Sequence, residues 1–177
     1  VNATYPSNYV VRTNNGYSFT DNLVSVVSSF EKGGTPLPFD SLSYTLEYDA
    51  QSDLLTKEYL RVGNEHKHLI NAITYNDLGQ VSTTKCGSEI NPILTCEYSY
   101  DMHGWLTDCN YINNKKNNVN LFSETLHYVD GEGSACYNGN ISSLSYLQSG
   151  QATTSKFKYT YDNMNRISSA IYGEGNT

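Results

Sequence analysis

Hydrophobic and polar residues alternate along this chain with a period of two, as in Tyr98-Ser99-Tyr100, Tyr159-Thr160-Tyr161 and Val24-Ser25-Val26. That period puts the aromatic residues of a segment on one face of a strand and its hydroxyl-bearing residues on the other. The alternation breaks off repeatedly at one pattern: an aromatic, then Asp or Asn, two free positions, a small turn residue, one free position and an aliphatic. It reads Tyr48-Asp49-Ala50-Gln51-Ser52-Asp53-Leu54, then Tyr75-Asn76-Asp77-Leu78-Gly79-Gln80-Val81, then Tyr100-Asp101-Met102-His103-Gly104-Trp105-Leu106 and Tyr161-Asp162-Asn163-Met164-Asn165-Arg166-Ile167. A fifth, longer version starts at Tyr128 and carries an insertion before Tyr137-Asn138-Gly139-Asn140-Ile141. The anchoring tyrosines are 27, 25, 28 and 33 residues apart, which identifies a repeat array.

Each unit predicts two strands around a tight turn. Asp or Asn at the first turn position (Asp49, Asn76, Asp101, Asp162) accepts from the backbone amide two residues on, and Gly79, Gly104, Gly139 or Asn165 suits a left-handed residue closing a hairpin with a bulge. One hairpin cannot bury its own aromatic row, so stability has to come from stacking hairpins side by side, with Tyr48, Tyr75, Tyr100, Tyr128 and Tyr161 as packing anchors. The expected fold is all-β: a twisted antiparallel sheet of tandem hairpins with units near 44–60, 71–86, 96–111, 124–147 and 157–172, one structural domain with its repeats in 41–177. Residues 1–40 read as degenerate strands capping an edge, because Phe19 lacks the aliphatic six positions later and Gly33-Gly34-Thr35-Pro36-Leu37-Pro38 breaks any regular element.

Composition agrees with this picture. Tyr, Asn, Ser and Thr supply 72 of 177 residues, charged residues are 16%, and no apolar run is long enough to cross a bilayer as a helix, so no membrane insertion is expected. The net charge of −7 and the scattering of the eleven Lys and Arg argue against nucleic acid as a partner. The chain begins at Val1 rather than Met, which reads as a processed or excised end.

The in-phase Tyr-Asp-x-x-Gly-x-Leu units resemble the YD repeats of RHS (rearrangement hot spot) proteins and teneurins over residues 44–173. The resemblance implies a strip of long β-sheet, part of a hollow shell around cargo in a protein secreted by, or displayed on, a bacterium. The family's self-cleaving Asp-Pro segment has no counterpart, since the four prolines follow Tyr, Thr, Leu and Asn. With too few hairpins to close a shell, the chain reads as an open piece of one whose edge invites a second copy.

Four cysteines permit disulfides in an exported chain; Cys86 and Cys96 flank a loop between neighbouring strands and are the pair considered, with free, partly buried thiols as the alternative. There is no Cys-x-x-Cys, and His66-Lys67-His68 lacks a third ligand, so neither a metal nor another cofactor is expected. The aspartates have a turn role in place of glycosidase chemistry, and no nucleophile elbow or phosphate loop occurs, so the expected function is structural and non-catalytic. The alternative is a carbohydrate-binding or adhesion module in which Trp105, Tyr111 and Tyr172 contact neutral glycans. Other parts of the parent shell or its cargo are the remaining expected partners.

Overall fold

The computed structural model describes residues 2–5 and 9–175; Val1, residues 6–8 and residues 176–177 lie outside it, and with them small parts of the 1–40 and 41–177 segments. The chain is all-β, and its antiparallel strands follow one another in sequence order, the arrangement that short hairpin connections impose. It divides into two compact units. One runs to Gly79 and also holds Lys85–Asn91; the other comprises Gln80–Thr84 and the chain from Pro92 onward.

In the first unit, β1 (Asn2–Tyr5), β2 (Tyr9–Tyr17), β3 (Leu23–Lys32), β4 (Thr35–Tyr48), β5 (Leu55–Val62) and β6 (His68–Tyr75) each pair antiparallel with the next. Strand β7 (Val81–Cys86) is divided between the units. In the second, β8 (Leu94–Tyr100), β9 (Leu106–Asn113), β10 (Val119–His127), β11 (Ser143–Gln148), β12 (Ser155–Tyr161) and β13 (Ile167–Glu174) do the same. The polar Asn113–Asn120 connection contains a single 3-10 turn, Asn114–Lys116, whose N-cap Asn113 accepts from the amide of Lys115.

Small side chains dominate the buried positions among the described residues: Ala72, Cys96 and Cys109 among the apolar ones, Ser43, Thr95, Ser142, Ser143 and Ser155 among the polar, with Tyr128 the one large residue. Larger aromatics pack half-buried on one face. In the second unit they form a ladder across five strands, Tyr111–Phe122–Tyr146–Phe157–Tyr172, with successive ring centroids 6.0, 6.0, 6.5 and 5.2 Å apart. These spacings are those of offset or edge-on ring pairs, and the ladder joins strands whose backbones already pair.

The first 40 residues contain a further turn of the same kind. Tyr17 pairs with Leu23, six positions on, across Ser18-Phe19-Thr20-Asp21-Asn22, so the anchor is Tyr17 and not Phe19. The unit at Tyr48 holds one more residue than its sequence suggests: Tyr48 pairs with Leu55, and the left-handed residue is Asp53 (φ 59°), not Ser52.

Candidate functional site

The recurring chemistry of this chain sits at its turns. At Tyr17, Tyr48, Tyr100 and Tyr161 the strand register shifts by a bulge immediately before the tyrosine, and the tyrosine then pairs with the aliphatic residue that closes the turn. Two residues before that aliphatic the backbone turns left-handed every time: Asp21 (φ 61°), Asp53 (59°), Gly79 (76°), Gly104 (82°), Gly139 (86°) and Asn165 (58°). Five of these six positions are Gly, Asn or the Asp preceding Asn22, residue types with a small or locally bonding side chain, and Asp53 is the sixth.

A carboxylate or amide holds each turn from inside. Asp101 Oδ1 accepts from the amides of His103 and Trp105, both at 2.9 Å, while the Gly104 amide donates to the Asp101 carbonyl at 3.0 Å. Asp162 repeats this with the amides of Met164 (2.8 Å) and Arg166 (3.0 Å), and the Arg166 guanidinium adds an ion pair at 2.7 Å. Asp49 accepts from Gln51 and Ser52, and Asn76 from Leu78 at 3.0 Å, so the neutral amide makes the same turn. In the long unit Asn138 accepts from Asn140 at 3.2 Å beside Gly139. At Tyr17 the role falls to Ser18, whose hydroxyl accepts from Thr20 and Asn22 at 3.2 and 3.1 Å.

Successive units are then tied by one hydrogen bond that recurs five times. Each anchoring phenol donates to the carbonyl of the residue that closes the previous turn: Tyr48 to Leu23 (2.9 Å), Tyr75 to Leu55 (2.6 Å), Tyr100 to Val81 (2.9 Å), Tyr128 to Leu106 (2.9 Å) and Tyr161 to Ile141 (2.8 Å). Burial pushes the phenol acidities of Tyr75, Tyr128 and Tyr161 toward still higher pH, which keeps these groups protonated donors. The joint therefore adds a directed side-chain bond to the backbone pairing of the strands, and it uses every tyrosine that the repeat pattern singles out.

The turn carboxylates titrate low. At Asp49 the amide of Ser52, its hydroxyl and the Gln51 amide favour the ionised form; at Asp162 the Arg166 guanidinium and then the turn amides do. At Asp101 partial desolvation opposes ionisation but is outweighed by the Trp105 amide and His103. A depressed native pKa contributes stability that is present above the unfolded value of 3.8 and lost as pH falls through the lower, folded value. We expect the urea midpoint of the protein to drop between pH 5 and pH 3, and the Asp101→Asn, Asp162→Asn double variant to show a smaller drop. An unchanged pH slope in that variant would mean that these turns are not the titrating groups.

The glycan candidates fare unequally. Trp105 is packed, its ring 4.6 Å from His103 and 4.9 Å from Tyr128, with Gly139 against its indole edge. Tyr111 packs edge-on against Phe122 and has Cys109 and Tyr98 as side-chain hydrogen-bonding neighbours. Tyr172 is 50% exposed, with its hydroxyl bonded to Ser155 at 3.2 Å and Glu174 at 2.7 Å. Cys86, Cys96, Cys109 and Cys136 are free thiols, of which Cys96 and Cys109 are buried. The Cys86 thiol donates to Asn71 Oδ1 at 3.3 Å, and burial pushes its pKa up, which favours the protonated thiol over the nucleophilic thiolate. Lys67 lies 3.6 Å over the Tyr59 ring and 3.0 Å from Glu47, which gives the His66–His68 stretch a packing role through its central residue.

No family model and no curated protein matches the chain. Among solved structures it is similar to the crystal structure of TcdB2-TccC3-Cdc42, with a TM-score of 0.61 and 18% identity over 94% of this chain, and to that of TcdB2-TccC3, with a TM-score of 0.53 and 17% identity over 91%. In both cases it spans 9% of the other chain's length. Repeated tyrosine-anchored hairpins and these two likenesses together establish the fold as that of an RHS/YD-repeat sheet.

Proposed function

We propose that this chain is a non-catalytic structural module, a stretch of YD-repeat wall belonging to a larger secreted or cell-surface protein. The observation that carries this reading is the five-fold phenol-to-carbonyl joint. It consumes the conspicuous aromatic and acidic residues in holding hairpins together, and leaves the turn carboxylates bonded to backbone amides instead of facing one another across a cleft. The strands outside these five joints carry exposed apolar side chains. Tyr17 is 60% exposed, and β13 presents Ile167 and Ile171, each 61% exposed, on a strand that no further hairpin covers among the described residues. Such ends suit continuation into neighbouring parts of a parent wall or pairing with another copy.

The adhesive alternative rests on Tyr172, since Trp105 and Tyr111 are occupied by packing. Passing the purified chain over immobilised neutral glycans tests the choice. The structural reading expects no saturable binding at millimolar sugar, whereas saturable binding that Tyr172→Ala removes would replace it with the adhesive one.

A further inference from the structure

The insertion that lengthens the fifth unit builds something the repeat does not require. On the sheet face opposite the tyrosines, Ser143 of β11 pairs with His127 of β10 on one side and Lys158 of β12 on the other, and one row further along Ser145 pairs with Lys156. The period of two puts all five side chains on one face. Residues 130–132 of the insertion lie against this face: Asp130 meets His127 Nδ1 at 3.4 Å, and Gly131 is so close that a methyl group on it would come within 2.8 Å of the Ser143 hydroxyl. Glu132 reaches both lysines, 2.6 Å from Lys156 and 3.0 Å from Lys158.

All of these residues except Asp130 line a half-open cavity of about 270 Å³. Within it Ser143 is 4% exposed, and its hydroxyl is the single buried side-chain polar atom without a hydrogen-bond partner among the described residues. A buried hydroxyl ordinarily finds a partner, so this one points to a ligand group that supplies it. Two ammonium groups two residues apart on one strand, converging on a single carboxylate, define a monocarboxylate site. That site is held by a residue of the insertion, which acts as an intrinsic occupant. The volume exceeds what a bare carboxylate needs and approaches that of small-ligand pockets, which start near about 300 Å³.

We propose that this cavity binds a monosaccharide acid of the hexuronate class, its carboxylate taking the place of Glu132 between Lys156 and Lys158 and one of its hydroxyls bonding to Ser143 Oγ. A single anion meets a locally cationic pair here, so the chain's net charge of −7 does not oppose it as it would a polyanion. The neutral-glycan question at Tyr172 is separate, being posed at another residue.

Glucuronate, glucose and acetate titrated into the isotope-labelled full chain, followed at the Gly131 and Ser143 amides by NMR, test this. Glucuronate is expected to bind saturably and glucose not at all, with acetate at least tenfold weaker than glucuronate. Glu132→Gln removes the competitor and is expected to tighten glucuronate binding about tenfold, because the binding-competent state no longer has to be won from a closed one. Lys156→Met with Lys158→Met should abolish binding, and Ser143→Ala should weaken it severalfold while leaving the far-ultraviolet circular dichroism unchanged. Absence of a saturable shift in both the parent chain and Glu132→Gln, equal affinities for acetate and glucuronate, or weaker binding by Glu132→Gln would each overturn the proposal.

Discussion

Replacing Tyr128 by alanine is expected to destabilise the second unit by about 4 kcal/mol, the range of a large buried aromatic truncated to a methyl group. Replacing it by phenylalanine should cost about 1 kcal/mol, the net worth of one ordinary hydrogen bond. Tyr128 is the one large side chain that is buried among the described residues, at 8% exposure, its ring 4.9 Å from Trp105 and its phenol 2.9 Å from the Leu106 carbonyl. Alanine removes ring and bond together and leaves a cavity beside the indole, whereas phenylalanine keeps the ring and orphans one carbonyl. The chain's single tryptophan is in contact with the substituted residue, so urea unfolding followed by Trp105 fluorescence reports on this site directly. A loss of under about 1.5 kcal/mol for the alanine variant, below the large-to-small range, would show that the anchors do not hold the array.

What the sequence made legible depended on whether a feature has a chemical signature at a fixed offset. The turns at Asn76, Asp101 and Asp162 were readable because an acceptor two or more residues before its amides, and a left-handed residue three positions on, admit few residue types. The turn at Tyr17 has the same geometry but lies outside the pattern, since Ser18 replaces the Asp and Asp21 the Gly. A pattern admitting Ser at the first position and Asp at the fourth would have found it through Leu23. The extra residue between Tyr48 and Leu55 is invisible for a related reason: Leu54 and Leu55 are chemically equivalent, and only pairing distinguishes them. The acceptors of the phenols had no signature at all, because every residue has a carbonyl. The packing of Trp105 and Tyr111 depended on which neighbours the strands bring beside them, and the Lys156, Lys158 and Glu132 cluster on where an insertion folds back. Local chemistry was thus visible in one dimension, and side-chain partners chosen by sheet register were not.

The insertion itself has a fixed seat, and Gly133→Ala is expected to unseat it at a cost of about 2 to 3 kcal/mol, the upper part of the range for forcing atoms into a packed site. A methyl group on Gly133 would stand 2.2 Å from the carbonyl oxygen of Ser142 and 2.6 Å from its carbonyl carbon. That carbonyl cannot retreat. It accepts from the Tyr159 amide at 2.9 Å, while the Ser142 amide donates to the His127 carbonyl at 2.8 Å, and the residue is fully buried with its hydroxyl shared between the carbonyls of His127 and Asp130. Strands β10 and β12 therefore hold Ser142 in place, so the chain that must move is the insertion, and with it Glu132 leaves Lys156 and Lys158. Gly150 provides the comparison, with a left-handed φ of 90° but nothing within 4 Å of an added methyl, so alanine there costs only the backbone strain of about 1 kcal/mol. Urea midpoints of the two variants separate contact from strain: the Gly133 substitution should cost at least twice the Gly150 one, and parity between them would mean that the insertion rests on the sheet without being locked to it.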